Sequence, residues 1–211
     1  MSGREQRHLP KQTRSQETFK SILAAAADLF EAKGYEQSTT HQIAKAAGVS
    51  VGALYRYFAD KEAIIKELYQ REITDLRKLV LSEFSLTDLM GQDLNRLVRM
   101  TVALAFKVYS QRPGLRRVLS EQSRKIAELR QLRTAQEQEM HQAVRQILAV
   151  VPAVQLPDPE VGAYLVMLFL DSLLEDSILH ARTDNGFEQD RIIDAATDFI
   201  LRYVLGSVPK T

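Results

Sequence analysis

Apolar residues at Phe19, Ile22, Leu23, Ala26 and Phe30 recur at spacings of three and four, which lines one face of an α-helix. Gly34 then offers the left-handed position just past a helix end, and Tyr35 an apolar ring that can fold back on Phe30, so the first helix is expected to end at Lys33. Thr39 and Gln42 have the spacing of a capping box, and a short second helix should run from there to about Ala47. Gly48 permits a sharp turn that a Cβ would obstruct, Val49 plugs the angle, and Ser50 can cap a third short helix. Ala44 is small enough to let the second and third helices cross closely, and this is helix-turn-helix spacing.

Asp60 caps a fourth, long helix whose apolar positions Ile64, Ile65, Leu68, Tyr69, Ile73, Leu76 and Leu79 continue to about Phe84. Beyond Gly91 the pattern predicts helices at about 93 to 111, 114 to 120 and 123 to 150, then a break at Pro152, Pro157 and Pro159. The last two helices cover about 159 to 182 and 187 to 205, parted by the turn Thr-Asp-Asn-Gly at 183 to 186. No strand pattern or repeat competes, so the expected class is all-α. A three-helix N-terminal domain is joined by a long helix to a C-terminal helical domain.

Composition narrows the chemistry. Lys and Arg number 28 against 27 Asp and Glu, a net charge of +1, so only the distribution of charge can argue for a polyanionic partner. Cysteine is absent, which removes disulfides, thiolate catalysis and Cys-ligated zinc and fits a reducing compartment. The polar opening MSGREQRHLPKQTRSQ lacks the apolar centre of a secretory signal. The longest apolar run, Val161 to Leu170, meets Asp171 well short of the roughly twenty residues that span a bilayer. The expectation is a soluble, cytoplasmic protein with no membrane partner and no cofactor.

The stretch VSVGALYRYFADKE, 49 to 62, carries the functional argument. With Leu54 and Phe58 inward, Tyr55, Arg56 and Tyr57 cannot all join them, and two of the three must face out beside Val51, Gly52 and Ala53. A short helix with so slim a front end fits the major groove of B-DNA, where Arg56 can read guanine with two hydrogen bonds. The tyrosine hydroxyls and Lys61 would reach phosphates and position the helix. The plainer alternative is a helical hairpin with its tyrosines packed inside. Before the first helix, Arg4, Arg7, Lys11 and Arg14 offset only Glu5, so residues 1–14 read as a basic flexible arm that either follows DNA or is a solvated tail.

The segment TTHQIAKAAGVSVGALYRYFADKEAII strongly resembles the DNA-binding segment of TetR-family transcriptional repressors. The likeness covers roughly residues 15 to 67, from a first helix ending LFEAKGY to LYRYFADKE at the start of the linking helix. It implies an all-α homodimer with a DNA-binding domain over 15–60 and an effector-binding and dimerisation domain over 61–211. It places Thr39, Thr40, His41 and Gln42 at the start of the second helix, against phosphate. Ser50, Val51, Gly52, Ala53, Tyr55, Arg56 and Tyr57 fall on the recognition helix, and Lys61 on the family's phosphate-binding lysine. Gly52 and Ala53 depart from members with larger side chains there, which leaves specificity to Arg56, close backbone approach and DNA shape.

In AYLVMLFLDSLL, 163 to 174, apolar side chains occur all round the helix, so a second covering surface is needed. On the last helix Ile192, Ala196, Phe199 and Tyr203 make one apolar line, and Ile193, Ile200 and Val204 another. A twofold dimer in which these helices meet their copies accounts for both, with Leu168, Ser172, Ile192, Ala196, Phe199, Ile200 and Tyr203 at the interface. The alternative is a monomer whose own helices cover both faces. A partly apolar small-molecule effector would find adaptable walls in Met100, Leu104, Phe106, Tyr109, Met140, Tyr164, Met167 and Leu168, although core residues share that composition.

An enzyme is the contrasting class. Glu137 with His141, and Asp176 with His180, put a carboxylate and an imidazole four apart, but carboxylate-bridged metal bundles need more carboxylates and Glu-x-x-His spacing. No phosphate loop, nucleophile elbow or HExxH occurs. The expected function is therefore a regulator, most simply a repressor that binds a palindromic operator on double-stranded DNA as a homodimer and is released by an effector. The alternative within DNA binding is a regulator that has no effector.

Overall fold

A computed structural model describes residues 9–83, 93–176 and 187–206, and the side chains of most of them. Helices α1 (Leu9–Lys33), α2 (Thr40–Ala46), α3 (Val51–Tyr55), α4 (Lys61–Glu83), α5 (Leu94–Ser110), α6 (Pro113–Lys125), α7 (Ala127–Val150), α8 (Pro159–Leu174) and α9 (Gln189–Val204) account for most of the described residues. The class is all-α, with a helix-turn-helix at the N-terminal end and a helical C-terminal part. The helix ends at Phe84 and 182, the turn at 183–186 and the first part of the basic arm lie outside the described residues. The rest of that arm, from Leu9, is the first turns of α1.

Local capping chemistry sets the boundaries of the first helices. Gly34, at φ +78°, donates its amide to Phe30 O at 3.0 Å, and the Tyr35 ring lies 5.4 Å from that of Phe30. Both arms of the capping box form: Gln42 N donates to Thr39 Oγ1 at 3.2 Å, and Thr39 N to Gln42 Oε1 at 3.0 Å. Gly48, at φ +68°, lets Val49 N reach Ala44 O at 3.0 Å, and Ser50 Oγ accepts the Ala53 amide at 3.1 Å. Asp60 Oδ1 caps α4 through Ala63 N at 2.7 Å.

The described chain forms two compact units. One comprises residues up to Thr74 together with Gly114–Arg124; the other comprises Asp75–Pro113 and everything from Lys125 onward. The expected boundary after residue 60 therefore falls inside the first unit. The reason is packing: Ile64 and Ile65 of α4 are sealed with Ile22, Ala26, Phe30, Ile43, Ala44 and Leu54 from the three preceding helices, and the core would be open without them. α6 joins the same unit by burying Leu115, Val118 and Leu119, the i, i+3, i+4 stripe of a helix that is otherwise polar. Glu31 of α1 accepts the amides of Gly114 at 3.1 Å and Leu115 at 2.6 Å, satisfying free N–H groups at the start of α6. Arg116 pairs with Glu72 of α4 at 3.2 Å.

The second unit packs α5 against α9 and α8, with Val102, Phe106, Leu174, Ile193, Ala196, Ile200 and Val204 as its core. The proline-rich connection is tied down by Gln155 N donating to Val204 O at 2.9 Å, and Asp158 caps α8 through Glu160 N and Val161 N.

Candidate nucleic-acid interface

The recognition element is built outward from Leu54 and Phe58, which are buried as the pattern requires. The side chains between them divide. Tyr55 is 47% exposed and Arg56 also faces solvent, whereas the Tyr57 ring leans toward Phe19 of α1, with centroids 6.2 Å apart. Gly52 is exposed with open space where a Cβ would stand, and Val51 and Ala53 are half-buried beside it. The front of α3 is thus slim, and its outward polar groups are at its far end.

Both tyrosine hydroxyls have partners. Tyr55 OH lies 3.1 Å from Thr40 Oγ1 on α2, and Tyr57 OH lies 3.1 Å from Ser15 Oγ on α1. Each pair shares one hydrogen and leaves the second hydroxyl hydrogen to donate elsewhere, which suits an acceptor-only ligand such as a phosphate oxygen. Ser15 is the first residue after the segment expected to be a flexible arm, and its pairing with Tyr57 could not be read from spacing. His41 and Gln42 are exposed, although the Gln42 oxygen is committed to the cap. Ser50 accepts from Ala53 and keeps its own hydrogen to donate.

Lys61 is placed differently from the simple expectation of an ammonium reaching into solvent. Its Nζ donates to Tyr35 O at 2.7 Å and to Ser38 O at 3.0 Å, and it stands 4.0 Å from the centre of the Tyr35 ring. Burial, and after it the carboxylates of Glu62, Glu36 and Asp60, pushes the Tyr35 phenol up to about 12, so this ring stays neutral beneath the cation.

In the second unit the predicted effector residues occupy unlike environments. Phe106 is enclosed in the core, Leu104, Tyr109, Met140 and Met167 are half-buried, and Met100, Tyr164 and Leu168 are exposed. An open groove of about 510 Å³ between α8 and α9 is lined instead by Phe169, Leu173, Phe187, Ile192 and Phe199, with Asp176 and Arg191 adding charge.

The predicted dimer set divides as well. Leu168 and Phe199 are 47% and 55% exposed, Ser172 is exposed, and Ile192 and Tyr203 are half-buried. Ala196 and Ile200 are core residues: the line Ile193, Ala196, Ile200, Val204 is the stripe that α9 presents to Val102 and Phe106, and Ala196 only floors the groove. Val161, Tyr164 and Leu165 continue the exposed apolar face of α8 beyond Leu168. Spacing could not find this division, because both lines of α9 carry large apolar side chains.

Of the carboxylate and imidazole pairs, Glu137 is bonded to Arg133 at 2.7 Å, the His141 ring meets Tyr164 edge-on at 5.7 Å, and His180 lies outside the described residues. Among the described residues no three metal-ligating side chains gather. Asp171, although much of it is exposed, has its carboxyl pushed above the ordinary range by desolvation first and Glu137 second, with Arg133 and His141 opposing.

The family described as bacterial regulatory proteins, tetR family, matches residues 22–68. A second family, tetracyclin repressor-like, C-terminal domain, matches residues 93–203, more than half of the chain. The A-factor receptor protein of Streptomyces griseus is 41% identical over 64 residues, 30% of this chain and 23% of that one. The HTH-type transcriptional regulator EthR of Mycolicibacterium smegmatis is 23% identical over 192 residues, 90% of this chain and 87% of its own. The matches to the first curated relatives span about half of their length or less. A solved transcriptional regulator from Rhodococcus shares the fold at a TM-score of 0.70 and 20% identity, over 90% of this chain and 98% of its own.

Proposed function

The chain belongs to the TetR family of helix-turn-helix transcriptional regulators, and from that premise we propose that it is a repressor which binds a palindromic operator as a homodimer and is released by a small-molecule effector. The observation that carries the DNA reading is the outward projection of Tyr55 and Arg56 from a helix whose front end is Gly52. In a major groove the open Gly52 side allows close approach, Arg56 has the donors for guanine O6 and N7, and the Thr40–Tyr55 pair supplies a hydroxyl to phosphate.

Two copies of α3 would occupy half-sites about 34 Å apart, one helical turn of DNA. The dimer is supported by the apolar face Val161, Tyr164, Leu165 and Leu168 on α8 together with Phe199 on α9, side chains that leave too much apolar surface in water for one chain. The protein acts where the DNA is, in the cytoplasm, and no described helix is long and apolar enough to cross a membrane. Its chemistry is binding and not catalysis.

Release follows if the effector prefers the conformation that cannot bind DNA; reversing a 1:99 balance takes about 5.5 kcal/mol of differential affinity. Effector control draws support from a relative named as a receptor, the A-factor receptor protein. The scatter of the predicted effector residues between core and surface favours the second reading, a regulator whose C-terminal part only dimerises or meets a protein. A small molecule that raises the melting temperature and lowers operator affinity together selects the first reading; one that stabilises without touching affinity at saturation removes it for that ligand.

The test of the interface is Arg56→Ala. Operator binding should weaken by about 1–3 kcal/mol with relaxed preference at one base position. Unchanged affinity would remove Arg56 as a base reader.

A further inference from the structure

The two neighbours of Arg56 are each tied by a hydroxyl to a different helix. On one side Tyr55 OH lies 3.1 Å from Thr40 Oγ1 of α2; on the other, Tyr57 OH lies 3.1 Å from Ser15 Oγ of α1. The Tyr57 ring is seated by the next turn of α1. Phe19 stands 6.2 Å from it and stacks on Phe58 at 5.0 Å, with the Arg71 guanidinium 5.0 Å from the Phe19 ring. Arg71 is held in turn by Glu67 at 2.8 Å. Ser15 and Phe19 are four residues apart and share one face of α1, so one takes the hydroxyl of Tyr57 and the other its ring.

Arg56 needs such support. α3 is only five residues long and ends at Tyr55; Arg56 is its C-cap, with its amide reaching Ala53 O at 3.3 Å and the next amide reaching Leu54 O at 2.9 Å. So short a helix has too few hydrogen bonds of its own to fix where its end points. The Arg56 side chain faces solvent, and its direction is set by the backbone that carries it. A guanidinium that makes two parallel hydrogen bonds to guanine tolerates little error in that direction, because one tilt spoils both bonds. With Tyr55 anchored to α2 and Tyr57 to α1, the backbone at Arg56 is held from both sides. The DNA-binding family match begins at residue 22, so Ser15 lies outside the segment it covers.

We propose that Ser15 is a positioning residue for sequence recognition: through the Tyr57 hydroxyl it holds the end of α3 so that Arg56 meets its base squarely. This rests on the reading of Arg56 as the base reader. The competing role for Ser15 is direct contact of its hydroxyl with phosphate, and the two roles differ in their effect on sequence preference. A phosphate contact carries no sequence information, so its loss weakens binding to every duplex alike. Loss of a support for the base reader weakens the preferred duplex far more than substituted ones.

The experiment uses the full chain, a duplex that the unaltered protein enriches from a random-sequence pool, and duplexes that differ from it at single base pairs. The base pair that Arg56 reads is the one whose preference Arg56→Ala flattens. Preference at that pair is then measured for Ser15→Ala, Ser15→Thr, Tyr57→Phe and the double variant Ser15→Ala, Arg56→Ala. Alanine is the better helix former, so Ser15→Ala keeps α1 intact. Ser15→Ala is expected to lower the preference about threefold to tenfold, the scale of one neutral hydrogen bond, and Ser15→Thr, which keeps a hydroxyl, to retain it. Tyr57→Phe should lower it by a similar factor. In the Arg56→Ala background Ser15→Ala should change nothing further at this base pair, because the group it aims is already gone.

An equal loss of affinity on all duplexes, with preference intact, would overturn the proposal in favour of direct phosphate contact. Unchanged affinity and preference in Ser15→Ala would make the serine a bystander, and a loss of preference that persists without Arg56 would show that it acts through another residue. Each of these failures brings down this role alone. An unaltered chain that enriches no duplex brings down the DNA-binding reading, and an Arg56→Ala chain that flattens no position brings down Arg56 as the reader; this role falls with either.

Discussion

Gly114→Ala tests whether the start of α6 is seated against α1. Placed on the present backbone, the new Cβ would stand 2.5 Å from the backbone oxygen of Glu31 and 3.1 Å from its carboxyl Cδ and Oε1. The nearest obstacle is a carbonyl of the last turn of α1, which cannot rotate away as a side chain can. Either α6 retreats, stretching the 2.6 and 3.1 Å bonds that Glu31 makes to its first amides, or the end of α1 bends. Overpacking of this kind costs about 1–3 kcal/mol. Alanine's better helix propensity returns up to about 1 kcal/mol, less so near a helix start.

The net expectation is a loss of about 1–2 kcal/mol, or roughly 2–8 °C in melting temperature for a chain of this size. Gly52→Ala provides the opposite sign on the same chain: no atom lies within 4 Å of the added Cβ inside α3, so stability should rise by about 0.5–1 kcal/mol. Gly162→Ala falls between them, since its 2.5 Å neighbour is a Leu156 methyl that can turn aside. Urea unfolding of the three variants, read as midpoint shifts at constant slope, ranks them. A Gly114→Ala protein as stable as the unaltered chain would refute the seating of α6 on α1.

Asp171→Asn tests the raised carboxyl. A carboxyl whose folded pKa exceeds its unfolded one costs stability when ionised, so the substitution should raise the melting temperature at pH 7, and the gain should disappear as pH falls through the raised folded value toward the usual value of about 3.9. Melting scans across pH check this, and a gain that persists in acid would show that the cause is not titration. Phe199→Glu tests the dimer surface, because symmetry places the charge on both sides of an isologous interface. Light scattering should report a monomer or an aggregating chain with lost operator binding, whereas a folded dimer of normal DNA affinity would exclude α9 from the interface.

Much of the first unit was legible because its signals are local. Gly34, Gly48, the Thr39–Gln42 box, Ser50 and Asp60 each act within a few residues, and the structure realises every one. The division of Tyr55, Arg56 and Tyr57 followed from helical geometry once Leu54 and Phe58 were placed inward. What failed to show depends on partners far along the chain. Arg116 and the stripe Leu115, Val118, Leu119 sit in an arginine-rich run that reads as surface until α1 and α4 are known to receive it. Lys61 points to carbonyls some 23 and 26 residues earlier, and no spacing rule connects them. Ile200 and Ala196 were indistinguishable from Phe199 by composition; only the position of α5 decides which line of α9 is inside.

The membership of Gly114–Arg124 in the first unit bears on how such proteins can be recombined. A chimaera that takes its reading head as one uninterrupted stretch, cut within α4 after Thr74, leaves behind the helix that buries Leu115, Val118 and Leu119 and strands the Glu31 carboxylate without its amides. The exchangeable module is two pieces of chain, and the shorter piece must be transplanted with the longer or replaced by a helix whose first turn carries no Cβ at the Glu31 carbonyl.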